Sequence, residues 1–300
     1  MDPWTVYWQG DHLESCIASQ SPEDSEEIAA HWQELASRLA DAATVLDLAS
    51  GNGAVPKILL SVNSTLDICA VDKAGIAPLD YLSQAGKLAS VRFMPGIDIC
   101  ALPFAPNSFD VVTSQFGLEY APLTTACQAA VQVLKKHGIL HLLMHHAESE
   151  IVRPTEGILA EIARLLADKG VMAGIESYLA NEIDATQLDT IGQKYLQADS
   201  VRTPNVSGQI FAGITRIVAE LEGNPGQARA RMATMKMRLV ADQARLLQMR
   251  RAALNVAQAH EVEATLTNVG IIIEVFQPLT IGSEAGAEIL MGWQLSGIKG

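Results

Sequence analysis

Apolar and polar positions follow two rhythms along this 300-residue chain. Short strand-like runs fall at 45–48, 66–72, 90–94, 109–114 and 138–145, the first with the apolar pattern of a parallel strand buried on both faces and the second alternating before it turns apolar. Between them the spacing turns helical at 54–60, 78–86 and 123–136. Ahead of the first strand, Ser21-Pro22-Glu23-Asp24 reads as an N-cap, a first-turn proline and two acids. They open a helix to about residue 42, with Ile28, Trp32, Leu35 and Leu39 on one face. From 147 to about 263 the strand rhythm stops. Four helical stretches (155–169, 185–197, 208–222 and 227–259) are separated by Gly170-Val171, Pro204 and Gly223-Asn224-Pro225-Gly226. Two long strands, 270–279 and 287–298, close the chain around a turn at 281–286.

Alternating strands and helices with short loops predict a parallel sheet with right-handed crossovers, and the closing hairpin makes its last edge mixed. The expected fold is therefore α/β: a doubly wound, Rossmann-like, seven-stranded and mostly parallel sheet with a helical insertion. Residues 1–20 form an aromatic arm (Trp4, Tyr7, Trp8) that either docks on the core or covers a ligand. Residues 21–146 and 264–300 form the sheet domain. Residues 147–263 form the insertion, a substrate cap or a dimerisation element.

The formal charge of −13 argues against general nucleic-acid binding. Charge is nevertheless uneven. Residues 227–253 carry seven cations and one anion, a net of +6 that leaves −19 on the rest. Their spacing of seven (Arg231, Arg238, Arg245) draws basic stripes along the last helix, either a solvated face or a surface for an anionic partner. Cys16, Cys69, Cys100 and Cys127 match no zinc or redox spacing, so no metal is expected. The first residues lack the basic and apolar regions of a signal peptide, and no apolar run spans a membrane. A cytoplasmic location is the expectation.

The chemistry gathers at Thr44-Val45-Leu46-Asp47-Leu48-Ala49-Ser50-Gly51-Asn52-Gly53-Ala54, a strand, a glycine turn and a helix start. Glycines there permit positive φ and close backbone approach. In a doubly wound sheet such a turn opens the ligand crevice. Asp47 beside the turn is unfavourable for a pyrophosphate and favourable for a cation, such as the ammonium and sulfonium of S-adenosylmethionine. Pro56 stands where a dinucleotide fingerprint needs its third glycine, and no Gly-Lys-Ser/Thr follows to make a phosphate loop. Asp72 ends the second strand 21 residues after Gly51, where such folds put the acid that takes a ribose diol.

The glycine turn, Asp72 and the stretch 96–112 (Gly-Ile-Asp-Ile-Cys-Ala-Leu-Pro-Phe-Ala-Pro-Asn-Ser-Phe-Asp-Val-Val) together resemble class I S-adenosylmethionine-dependent methyltransferases. Ala49 replaces the family's common first glycine, as in its quinone-biosynthesis branch. The resemblance covers about 30–146 and not the helical region. It implies S-adenosylmethionine as cosubstrate, held by Asp47, Ala49, Ser50, Gly51, Gly53, Asp72 with Lys73, Asp98, Ile99, Gln115 and Phe116. Asp98 would take the adenine amino group, and the Ile99 backbone would read the ring. Candidate bases or acceptor contacts are Glu119 after the fourth strand and His145 or His146 after the fifth. Adjacent residues of a strand face opposite ways, so at most one histidine would serve. His141, inside the strand, is expected to be structural.

The expected activity is methyl transfer to a small-molecule acceptor, achieved mainly by positioning. Two alternatives stay open: a binding protein that transfers nothing, and a methyltransferase acting on protein or RNA through the basic helix. The long Met- and Leu-rich helix leaves a homodimer open as well.

Overall fold

The computed structural model describes residues 2–15, 22–198, 206–221, 223–282 and 288–300. Cys16, the Ser21 cap, the Pro204 break, Glu222 and the 283–286 turn lie outside the described residues. The chain divides into two compact units, Met1–Arg153 with Gln248–Gly300, and Pro154–Leu247.

The first unit is built on seven strands: β1 Thr44–Leu48, β2 Asp67–Asp72, β3 Arg92–Pro95, β4 Phe109–Gln115, β5 Leu134–Met144, β6 Ile271–Gly282 and β7 Glu288–Lys299. Their order is β3-β2-β1-β4-β5-β7-β6. The first five strands run parallel, and β7 pairs antiparallel with both β5 and β6. Order reverses between β1 and β4, so the crevice at their carboxyl ends is the place for a ligand in this topology. The flanking helices pack in pairs, α2 Pro22–Arg38 with α3 Ala54–Val62, and α5 Leu123–Val133 with α11 Val256–Asn268. Leu46, Leu48, Leu140, Leu142 and Leu295 are wholly excluded from solvent, as uninterrupted apolar strands buried on both faces should be.

Several boundaries depart from the sequence expectation, each for a local reason. Helix α2 stops at Arg38, and Ala42 then takes a positive φ of 55°. The expected helix 78–86 survives only as α4 Pro78–Tyr81, and Gly86, at φ 47°, begins a separate 3-10 turn. Strand β5 starts at Leu134 rather than 138. A register shift, with His137 at φ 63°, lets Phe109 pair with Leu134 while Val111 pairs with Ile139.

The helical stretch expected to run to 259 breaks near Leu254, which bridges to His146; helix α10 is Pro225–Ala252. A capping box between Asn255 and Gln258 then starts α11, and α11 packs on α5 and β6 of the sheet unit. Residues 248–268 therefore belong with the sheet, and the inserted unit is shorter than the 147–263 expected.

The helical unit holds α6 Thr155–Leu166, α7 Val171–Leu179, α8 Ala185–Ala198, α9 Val206–Leu221 and most of α10. Helix α7 fell on a stretch read as a break. Glu161 is buried here and accepts from the Ser207 backbone N–H at 2.6 Å. The basic stripe is partly spent inside this unit. Arg231 pairs with Glu220 at 2.6 Å, Lys236 with Glu176 at 2.7 Å, and Arg229 donates to the Leu179 carbonyl at 2.9 Å. Among the described residues no helix is long and apolar enough to cross a membrane.

Candidate active site

A cavity of about 550 Å³ opens at the carboxyl ends of the first four strands, lined wholly by the sheet unit. Every cofactor residue expected from the sequence lines it except Gly51 and Gly53. Ala49, Gly51 and Gly53 all take positive φ, at 52°, 51° and 88°. They turn the chain sharply from β1 into α3. Ala49 does so at the cost of roughly 1 kcal/mol that a glycine would not incur.

Two buried acids stand on adjacent strands. Asp47 is 1% exposed and accepts from the Thr113 hydroxyl at 2.8 Å, its cross-strand partner on β4. Burial raises its carboxyl to about 7, against the Thr113 bond and with help from the nearby charge of Asp72. Asp72 accepts from the Gly51 N–H at 2.8 Å on one oxygen and the Ala74 N–H at 2.8 Å on the other. Burial raises it to about 6 despite those bonds. At the next strand end, Lys73 lies 2.9 Å from Asp98 and holds its carboxyl below the ordinary range, with the Cys100 N–H assisting. Gln115 receives the Trp32 indole N–H, and Phe116 is held at φ 52° by its N–H bond to the Leu143 carbonyl.

The arm before α2 carries helix α1 Pro3–Trp8, capped by Asp2. The arm packs on the core and lines the cavity through Asp2, Trp4 and Trp8. The Asn52 amide donates to the Trp8 and His12 carbonyls at 3.0 and 2.8 Å, and the Gly75 N–H donates to the Thr5 hydroxyl at 2.8 Å. The Trp8 indole lies so close to Gly51 that a Cβ there would fall 2.3 Å from it. Gly51 is thus covered by the arm, which is why it does not line the cavity.

Glu119 lies in a 3-10 turn after β4 and lines the cavity with its side chain fully buried. One oxygen accepts from the His145 backbone N–H at 2.8 Å and from Nδ1 of the same residue at 2.6 Å. The other, Oε2, is buried and has no partner among the described residues. His145 therefore stands behind Glu119 rather than on the cavity wall. His146 stacks on Trp293, with ring centres 4.6 Å apart, accepts from the Glu148 N–H, and is depressed by burial. It does not line the cavity either. His141 is buried against Trp32, with its pKa pushed down to about 4 by burial. Among the described residues, no group of three or more His, Cys, Asp or Glu could hold a metal ion.

Sequence reasoning missed Trp8 as a cover over the turn, and Gln248 and Arg251 at the end of α10. Asn52 inside the glycine turn was a usable signal for the arm. Nothing local marks Gln248 or Arg251, because the return of α10 to the sheet depends on the bridge at Leu254.

Residues 46–142 match the methyltransferase domain family. No curated protein matches the chain in sequence. Among solved structures it is similar to a chain of the Haloferax volcanii complex between the Trm112 methyltransferase activator and the putative methyltransferase. That match has 18% identity and a TM-score of 0.37, covering 49% of this chain and 62% of that one, so the chain spans less than two thirds of that relative. It is also similar to a SAM-dependent methyltransferase from Aquifex aeolicus, at 12% identity and TM-score 0.46 over 100% of both chains. A third, from Methanosarcina mazei, has 14% identity and TM-score 0.44 over 89% of this chain and 96% of that one.

Proposed function

We propose that the protein is a class I S-adenosylmethionine-dependent methyltransferase that methylates a small-molecule acceptor, a reading supported by the match of residues 46–142 to a methyltransferase domain family. The observation that carries this is the pair of buried carboxylates, Asp47 and Asp72, at neighbouring strand ends. Their chemistry fits the cosubstrate. Asp72 has both oxygens fixed by backbone N–H groups and keeps acceptor capacity for a ribose diol. Asp47 offers negative charge to a cation in a site where water cannot screen it. The cavity volume falls within the usual range for small-molecule sites, about 300–1,000 Å³.

When bound, S-adenosylmethionine supplies a methyl group on a positively charged sulfur, to which the pair of the broken S–C bond returns. The residues of this chain position the two reactants, which supplies much of the acceleration in such displacements. Glu119 Oε2 takes the proton from a hydroxyl or amine acceptor as its lone pair attacks. His145, bonded to the other oxygen, holds the carboxylate in place. Changing Glu119→Gln keeps the shape and removes the base. The expected result is a fall in kcat of about 100-fold or more, with S-adenosylhomocysteine affinity preserved. Equal loss of both would assign Glu119 to binding instead.

The direct test is calorimetry with S-adenosylmethionine, S-adenosylhomocysteine and NAD across pH 5.5 to 8.5. In the free protein Asp72 and Asp47 lose their protons near 6 and 7. A cation prefers both ionised, so its binding displaces protons at low pH and tightens as pH rises. The gain is up to about tenfold per pH unit for each proton displaced, and it levels off near pH 8. S-adenosylhomocysteine, lacking the sulfonium charge, should show the shallower slope. Binding of NAD in preference to both sulfur compounds overturns the reading.

A further inference from the structure

Charge is unevenly spread along the cavity lining. Among the described residues that lining carries six acids, Asp2, Glu14, Asp47, Asp72, Asp98 and Glu119, and two cations, Lys73 and Arg251. Lys73 is neutralised by Asp98 at 2.9 Å. Arg251 has no ion-pair or hydrogen-bond partner among the described residues. In a chain of net charge −13, a guanidinium left unpaired beside an acidic crevice is available to an incoming anion.

Sheet order places it at one end. Asp98 follows β3, Asp72 ends β2, Asp47 is the penultimate residue of β1, and Phe116 to Tyr120 follow β4. Arg251 is three residues before Leu254, whose N–H and carbonyl bond to His145 and Ala147 at the end of β5. From β2 to β5 is three strand spacings, about 14 Å. The acids that suit a cationic cosubstrate and the arginine thus lie toward opposite ends, with Glu119, in the turn after β4, between them.

Aromatic side chains line the same cavity as Arg251. Trp4 meets Tyr120 edge to face at 5.4 Å, and its indole N–H donates to the Gln248 carbonyl oxygen at 2.9 Å. Gln248 is one helical turn before Arg251 on α10, so both line the same side, and its amide nitrogen is left as a second donor. We infer that this end is an acceptor subsite for a flat, apolar molecule bearing an anionic group, carboxylate or phosphate, with Arg251 as its counter-ion and Trp4 and Tyr120 as its walls. The inference rests on the methyltransferase reading above and narrows its substrate class.

The test uses the full-length protein saturated with S-adenosylhomocysteine, titrated with 1-naphthoate, 1-naphthyl phosphate and the neutral 1-naphthamide, and followed by tryptophan fluorescence and calorimetry. At least one anion should bind roughly tenfold or more tighter than the amide. Whichever anion leads names the group, and either order supports the subsite. Arg251→Gln should abolish the preference while S-adenosylhomocysteine affinity stays within about twofold, and Arg251→Lys should retain part of it. No preference for the anions, or a preference that survives Arg251→Gln, overturns the subsite while leaving the cosubstrate reading intact. Failure of S-adenosylhomocysteine to bind the unmodified protein strikes the methyltransferase reading itself, and is seen before any naphthyl compound is added.

Discussion

Replacing Asp72 with alanine should weaken binding of S-adenosylmethionine and S-adenosylhomocysteine by roughly 100-fold, about 2.7 kcal/mol. The carboxylate is 8% exposed and already fixed by the N–H groups of Gly51 and Ala74. It meets a ribose without reorganising, and hydrogen bonds to a charged acceptor are the strong ones. Its removal also leaves two backbone N–H groups of the turn without their acceptor, so the turn loosens as well as losing a contact. Asp72→Asn separates the two effects. Its amide oxygen can still take one backbone N–H, but the charge is gone. Isothermal calorimetry decides the matter, with the melting temperature as a control for folding. Affinity unchanged in Asp72→Ala would remove Asp72 from the cosubstrate site.

Gly51→Ala should be the most disruptive small substitution at the site, although it adds a single methyl group. The backbone there has φ 51°, a region that costs an alanine about 1 kcal/mol. The new Cβ would also lie 2.3 Å from the Trp8 indole, well inside contact distance. Either the turn or the indole must move. Trp8 is 7% exposed and belongs to a small cluster with Ala74 and Ile76, so moving it uncovers apolar surface. We expect a loss of about 2–4 kcal/mol and release of the arm, seen as faster proteolysis before Pro22 and a red shift in tryptophan emission. Because Gly51 also donates to Asp72, the double variant should lose less than the sum of the two single ones. Strict additivity would mean that turn and acid act independently.

Much of this architecture can be read along the chain. Strands β1, β2 and β4 show as apolar runs, because parallel strands buried on both faces leave few polar positions to blur the pattern. The glycine turn and the acid 21 residues after it announce a doubly wound crevice for a related reason. Positive φ and close backbone approach are local requirements, and so they are met by local residue types. The helical region was less legible. Helix α7 begins directly after Gly170, which reads as a break but serves as the residue ahead of a new helix. Helices α10 and α11 run together in the periodicity, and the pairing of Leu254 with His146 and the Asn255–Gln258 capping box part them.

The two adjacent histidines show where sequence stops. Alternation along a strand predicts that they differ, but cannot say which one faces Glu119. That was decided by the turn after β4, which brings the Glu119 carboxylate within 2.6 Å of His145 Nδ1, while Trp293 of β7 takes His146. Likewise Trp8 over Gly51, and Trp4 against Tyr120 and Gln248, join residues 43 or more positions apart with no motif linking them. Sequence by itself determined the strands, the crevice and the acids around it, because periodicity and turn chemistry are short-range properties. Tertiary structure alone decided which side chains share the cavity, because that depends on how distant segments return to the sheet.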